Sequence, residues 1–287
     1  MTDTPALDIQ HFRSWIGREE EQSDLVAVDL VRKFNAMLEL PADTVRDGQA
    51  APLLIHYCLA QPAAPMGGLG EDGHPARGGF LPPLPLPRRM WAGSSLVFHD
   101  SLRVGDRMRR VSRIADVAIK EGRSGILCFV TVEHRIDVDG KVVIEETQNI
   151  VYRDAATPKD AVKPVTAEPA PASAHQKPIE VSTPLLFRYS ALTFNGHRIH
   201  YDRNYATTVE YYPGLVFHGP LQATLLLNYA TELKGSAPDR FTFRGLSPLF
   251  DDDRISLHAA QEEDGRMKLW TARENGPVAM SAEAVWS

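Results

Sequence analysis

Between residues 154 and 184 the chain reads DAATPKDAVKPVTAEPAPASAHQKPIEVSTP, with six prolines and almost no large apolar side chains. Each proline fixes φ and removes a backbone donor, so this stretch cannot be a sheet interior or a long helix. It reads as an extended linker. The linker separates residues 1–153 from residues 185–287, and each part is long enough to enclose its own core.

The two parts share a plan. In the first, Leu25, Val28, Leu30, Val31, Phe34, Met37 and Leu38 recur at three- and four-residue spacings, which predicts a helix with Ser23 or Asp24 as its cap. A loop rich in Gly and Pro follows from Gln61 to Pro87. Alternating segments then run through SLVFHDSL and from Arg110 to Arg153, broken by Glu121-Gly122 and Asp139-Gly140. In the second part, Leu185–Leu192 reads as a short strand or turn, and Gly219–Leu233 as a helix with Leu221, Leu225, Leu226 and Tyr229 on one face. Four short alternating segments complete it, with Asp264-Gly265 and Asn275-Gly276 as hairpin turns. One apolar helix before an antiparallel meander, twice over, predicts an α+β fold and suggests that each sheet wraps a central helix, although periodicity alone permits other α+β arrangements.

Composition narrows the class. With 43% hydrophobic residues and two cysteines, the chain is neither disordered nor stapled by a disulfide framework. Cys58 and Cys128 lie in apolar runs and read as buried thiols of a reducing compartment. A net charge of −6 offers no basic field for nucleic acid or an anionic membrane. The uncharged stretch from Gly48 to Gly70 is interrupted by Pro52, Pro62 and Pro65, and its apolar part is shorter than the ~20 residues of a spanning helix. The first residues lack a basic and an apolar signal region, so the expectation is a soluble, cytoplasmic protein.

The densest polar constellation is FRYSALTFNGHRIHYDRNYATTVE, residues 187–210, with Asn195, His197, Arg198, His200 and Asp202 close together. Histidine exchanges protons near neutral pH. Downstream, His218-Gly219 opens the predicted helix, where an unpaired amide and the helix dipole could polarise a carbonyl.

YSALTFNGHRIHYDRNYA followed by YPGLVFHGPLQATLL resembles the hydratase-2 motif of the MaoC-like enoyl-thioester hydratases. Tyr189, Thr193, Ile199, His200 and Asp202 match that motif in kind and order, and His218-Gly219 matches its later pair. TFNGHRIHYD, together with FLPPLPLPRRMWAGSSLVFHDSLRVGD in the first part, is similar to the double-hotdog branch. That branch includes hydroxyacyl-thioester dehydratase type 2, itaconyl-CoA hydratase and mesaconyl-C4-CoA hydratase. The resemblance implies a double hotdog: an N-terminal hotdog over 1–153, the linker over 154–184 and a C-terminal hotdog over 185–287 that carries the motif.

It also implies reversible hydration of a 2-enoyl thioester, preferably mesaconyl-C4-CoA or itaconyl-CoA. The thioester carbonyl would bond to the Gly219 amide, and His200 would orient and deprotonate the water. One departure stands out: the family's catalytic Asp is replaced by Asn195, and an amide is no base. His200 as sole acid/base is the favoured resolution, with Asp202 or His197 as the alternative second group. Arg88, Arg89, Trp91, Arg198, His197 and His218 are candidate contacts for the acyl group or CoA, since arginine grips carboxylate and phosphate in two bonds. No metal or redox cofactor is signalled, for there is no paired Cys, His-x3-His or Gly-x-Gly-x-x-Gly. Coenzyme A would enter as part of the substrate, neither nucleic acid nor membrane is an expected partner, and a homodimer stays open. Two other activities remain beside hydration: dehydration of 3-hydroxyacyl groups on an acyl carrier, and acyl-CoA binding without catalysis.

Structural readings compete at several positions. Asn195 could be a turn residue, Asp202 a cap, Gly219 a packing glycine, and Arg88-Arg89 surface charge. Trp91 and Phe98 read as core, and Glu19–Glu21 and Asp251–Asp253 as solvated faces or turns. His56, His74, His99, His134 and His258 fall outside any constellation.

Overall fold

In the computed structural model, which describes residues 8–122, 125–155, 168–262 and 264–287, ten strands join into a single antiparallel sheet. The first half supplies β1 (Glu19–Leu25), β2 (Arg88–Phe98), β3 (Arg107–Gly122), β4 (Gly125–Val138) and β5 (Lys141–Arg153). The second supplies β6 (His175–Ile179), β7 (Arg240–Gly245), β8 (Ile255–Gln261), β9 (Arg266–Arg273) and β10 (Val278–Val285). Five helices are α1 (Ile9–Arg13), α2 (Val28–Met37), α3 (Thr183–Leu192), α4 (Arg203–Thr208) and α5 (Gly219–Lys234). None among the described residues is long and apolar enough to cross a membrane.

The strand order is β1-β3-β4-β5-β2-β7-β10-β9-β8-β6. Outward from the β2–β7 junction the two halves give the same order, so the unit suggested by the repeated pattern is present twice. The units share one sheet through that junction, where Gly93–Val97 pair antiparallel with Arg244–Arg240. A bulge between Trp91 and Gly93 precedes the pairing. A side chain at Gly93 would collide with the Phe243 carbonyl oxygen, so only glycine lets the strands approach here.

Helix α5 packs on strands of its own half and on β2. Leu221, Ala223, Leu226, Leu227, Tyr229 and Ala230 are all buried along it. Buried Gln222 is satisfied through Thr271 Oγ1, which lies 2.8 Å from its Oε1. Its end is set by Gly235 in the left-handed region (φ 80°), whose amide donates to Thr231 O. Helix α2 is shorter, 10 residues against 16, and leans on α3. The middle of the β3–β4–β5 face is therefore left for a cavity. Apolar clusters close both ends of that face: Met108, Ile136 and Ile144 at one, Val117, Cys128, Val130 and Tyr152 at the other.

Several local expectations are corrected. Residues 156–167 of the 154–184 linker lie outside the described residues, but 175–179 form β6. Pro178 is tolerated because β6 is an edge strand paired only with β8. Leu185–Leu192 belongs to α3, not to a strand: Ser182 caps it by accepting from the Leu185 amide, and Pro184 sits in the first turn where no donor is lost. Ser23 and Asp24 lie in β1, and α2 starts at Ala27 with no side-chain cap. Glu19–Glu21 are part of that strand, with Glu20 turned toward the cavity. Asp139 and Gly140 form the predicted hairpin turn, with φ of 50° and 81°.

Because the β2–β7 pairing has no room for a methyl group at Gly93, Gly93→Ala should lower stability by about 1–3 kcal/mol. Chemical denaturation of the purified variant measures this, and an unchanged midpoint would show that the junction can yield.

Candidate active site

The motif residues lie on the turn between α3 and α4, close to the start of α5. Asn195 Oδ1 accepts from the His197 amide at 3.0 Å, a local turn that brings His197 back toward its neighbours. His200 ends a single 3-10 turn, Arg198–His200. Its Nδ1 lies 2.7 Å from Val216 O. A carbonyl can only accept, so Nδ1 carries the proton and Nε2 keeps a free lone pair. Burial holds the His200 pKa down to about 4, against the raising effect of the Val216 bond, so the ring is a neutral acceptor at pH 7.

His218 is completely buried and stacks on His200, with ring centroids 3.6 Å apart. Its Nε2 lies 2.9 Å from Ser190 Oγ. This ring backs His200 from the buried side, whereas a substrate contact was expected of it. His218 is the N-cap residue of α5 and Gly219 the first helical residue, so the Gly219 amide has no intrahelical acceptor. Pro220 follows without an N–H, which concentrates the helix N-terminal field on the Gly219 donor.

Other expected residues are occupied. Asp202 accepts from the Tyr205 amide at 3.0 Å as the N-cap of α4, and its other oxygen takes Arg198 Nε and Nη2 at 3.0 and 2.7 Å. Both residues hold the turn, Asp202 as the cap and Arg198 as its clamp. Arg88 pairs with Glu210 at 2.7 Å, lies over the Tyr212 ring and does not line the cavity. Arg89, Trp91 and Asn195 do line the cavity.

That cavity, about 450 Å³, spans both halves. Tyr189, Thr193, Asn195, Gly196 and Pro220 come from the second half. From the first come a polar band across β3, β4 and β5, where Arg110, His134, Glu146 and Gln148 face inward, and the His56-Tyr57 pair. Buried Glu146 lies 3.2 Å from His56 Nε2 and accepts from Tyr57 Oη at 3.1 Å. Burial alone would raise its carboxyl; the bond to His56 and the charges around it outweigh burial and hold it low. Arg110 donates to Ala60 O at 2.6 Å, yet its Nε is buried without a partner.

His74, also in the cavity wall, is the residue most clearly missed from sequence. Its backbone amide and Nδ1 both meet the Asp72 carboxylate, at 3.0 and 2.9 Å. Its ring is 4.1 Å from that of His197, which in turn is 5.4 Å from His200. Asp72, His74 and His197 each offer a ligand atom within 4.8 Å of the others, the one such grouping among the described residues. Asp72 is bonded to His74 at both oxygens, a hydrogen-bonded pair beside a third ring. The available sequence signal was Asp-Gly-His inside a Gly/Pro-rich loop, too common a turn pattern to stand out.

Two units joined in a single sheet, with the motif in one and a cavity walled by both, define a double-hotdog protein. The solved structures agree: the chain is similar to a MaoC-like dehydratase from Phytophthora capsici (TM-score 0.70, 13% identity, 98% of this chain and 99% of that one). It is also similar to a Mycobacterium tuberculosis protein described as having a double hotdog fold (TM-score 0.52, 13% identity, 94% and 96% covered). Residues 54–251 match the family model described as hydroxyacyl-thioester dehydratase type 2, and the chain belongs to that family. A mesaconyl-C(4)-CoA hydratase of Chloroflexus aurantiacus is 43% identical over 94% of this chain and 95% of its own length.

The buried rings generate a pH dependence. Burial depresses His74, His197, His200 and His218 in the folded protein, whereas an unfolded chain takes up these protons near pH 6.5. Between about 6.5 and 4 the unfolded state thus binds more protons, and stability present above that window is lost as pH falls through it. Melting temperature should drop steadily from pH 7.5 to pH 5, and a flat profile would contradict neutral burial. Because both Asp202 oxygens are engaged within the turn, Asp202→Asn should change stability by about 1 kcal/mol or less and leave kcat within threefold of wild type in a steady-state assay.

Proposed function

We propose that the chain catalyses reversible hydration of a 2-enoyl-CoA thioester, preferably a short branched dicarboxylic one such as mesaconyl-C4-CoA or itaconyl-CoA. The observation that carries this is the pairing of a neutral imidazole of fixed tautomer, His200, with the free Gly219 amide at the opening of α5. A thioester carbonyl on that amide would gain stabilisation as charge moves onto its oxygen during attack at C3. His200 Nε2 is an acceptor for the attacking water, and Asn195 helps to hold water or acyl chain in place. No metal or redox group is needed for this chemistry; coenzyme A is part of the substrate.

The cavity supports the acyl class. Its volume suits a short acyl chain, and the polar band would be poorly used by a long alkyl tail. The unpartnered Nε of Arg110, with Arg89 in the same wall, offers positive charge to a distal carboxylate. Likeness to the Chloroflexus aurantiacus hydratase points to the same class. The family match favours a second reaction at the same groups, dehydration of a 3-hydroxyacyl thioester on an acyl carrier. Acyl-CoA binding without turnover is the non-catalytic outcome.

Purified protein should remove the enoyl-thioester absorbance of mesaconyl-C4-CoA with a kcat/KM at least tenfold that for crotonyl-CoA. His200→Ala should cost roughly 100–10,000-fold in turnover with the fold retained by circular dichroism. Tight binding of CoA esters without turnover, or release of free thiol as by a thioesterase, would overturn the assignment.

A further inference from the structure

We infer that Asp72 and His74, on the glycine-rich loop of the first half, form the acid/base pair of the site, in place of the motif carboxylate that Asn195 lacks. The inference rests on the hydratase reading and adds the group that moves the proton.

The loop is brought to the motif by direct backbone contact. Gly73 lies in the left-handed region (φ 86°), and a Cβ there would collide with the Gly196 carbonyl. Reciprocally, a Cβ on Gly196 would fall 2.6 Å from Gly73 O. Two glycines face each other because nothing larger fits. The contact is fastened by the Arg198 amide donating to Asp72 O at 2.9 Å and Arg198 Nη1 donating to Glu71 O at 3.2 Å. The pair it carries, Asp72 and His74, sits on either side of Gly73.

The geometry around His74 is that of an oriented base. The Asp72 carboxylate accepts from Nδ1–H and so leaves Nε2 unprotonated. His74 and Asn195 line the cavity, whereas His200 is not among its lining residues. His74 is therefore the histidine of this cluster on the open cavity wall, with His197 and then His200 behind it toward the start of α5. Asp72, Arg89, Arg198, His197 and His200 are the titratable or charged groups around it. Burial and Arg89 lower the affinity of His74 for a proton, and Asp72 opposes both.

In the step this assigns, water attacks C3 and one of its protons passes to His74 Nε2 as the oxygen–C3 bond forms. The C2–C3 π pair shifts to make the enolate, whose oxygen lies on the Gly219 amide. The proton then leaves His74 for C2 as the enolate collapses, which restores the neutral imidazole and completes addition of one water. His200 holds the water through Nε2. Asp72 is a positioning residue: it fixes the tautomer and stabilises the imidazolium that forms.

The test uses the full chain with mesaconyl-C4-CoA and crotonyl-CoA, comparing wild type with His74→Gln, His74→Ala and Asp72→Asn. His74→Gln should lower kcat at least 100-fold with KM within about threefold, since glutamine can hold the loop but cannot take a proton. Added imidazole should restore part of the turnover of His74→Ala, which a purely structural role would not allow. Asp72→Asn should move the acid limb of kcat/KM to lower pH, because loss of the carboxylate lowers the proton affinity of His74. Wild-type activity with His74→Gln within threefold of it overturns this inference alone. Absence of wild-type turnover on both substrates overturns it together with the hydratase reading.

Discussion

The hydrogen-bonded junction of β2 with β7 is the constraint on which everything else in this molecule depends. It joins two five-stranded halves edge to edge and removes the two strand edges that would otherwise be exposed at the centre. It also determines what each half faces. Helix α5 fills its own half and reaches β2 across the junction, while the shorter α2 leaves room against β3, β4 and β5. A site with its motif in one half and its cavity wall in the other is possible only because the pairing holds the halves in register.

Within that frame the polar groups of the interior are distributed by need. The band formed by Arg110, Ser112, His134, Glu146 and Gln148 interrupts an otherwise apolar face. Its members bond one another or nearby backbone: His134 lies 2.9 Å from Ser112 Oγ and 3.0 Å from Gln148 Oε1. Such a network is costly to leave half-satisfied. The unpartnered nitrogen of Arg110 is accordingly the place where an incoming carboxylate would gain most. The four imidazoles at the other end obey a different rule, since burial keeps all of them neutral and able to accept protons.

Much of this was legible in the residues. Gly219–Lys234 is helical almost as its apolar spacing predicts, and the two meanders fall where alternation and the Asp-Gly turns put them. His200 and Gly219 stand out because motif and helix start are local patterns. The partners of Asp202 and Arg88 were not legible, for an equally physical reason. A charged side chain looks free in a sequence until its partner is found, and here the partners are a helix-start amide with Arg198, and Glu210. Leu185–Leu192 reads as a short strand or turn because a short apolar run does not by itself reveal a helix, which the Ser182 cap and Pro184 in the first turn establish.

By itself the sequence determined the repeated helix-and-meander plan, the meander strands with their hairpin turns and the motif histidine, but not the edge strands β1 and β6, because periodicity and turn chemistry are written over a few adjacent residues. It could not place His74 beside His197, nor Arg110 in the same cavity as Asn195. Those proximities join loops as far apart as Glu71 and Arg198, 127 residues along the chain. Only the tertiary structure decided them, through strand pairing across the junction and the bare backbone contact of Gly73 with Gly196, which no local pattern encodes.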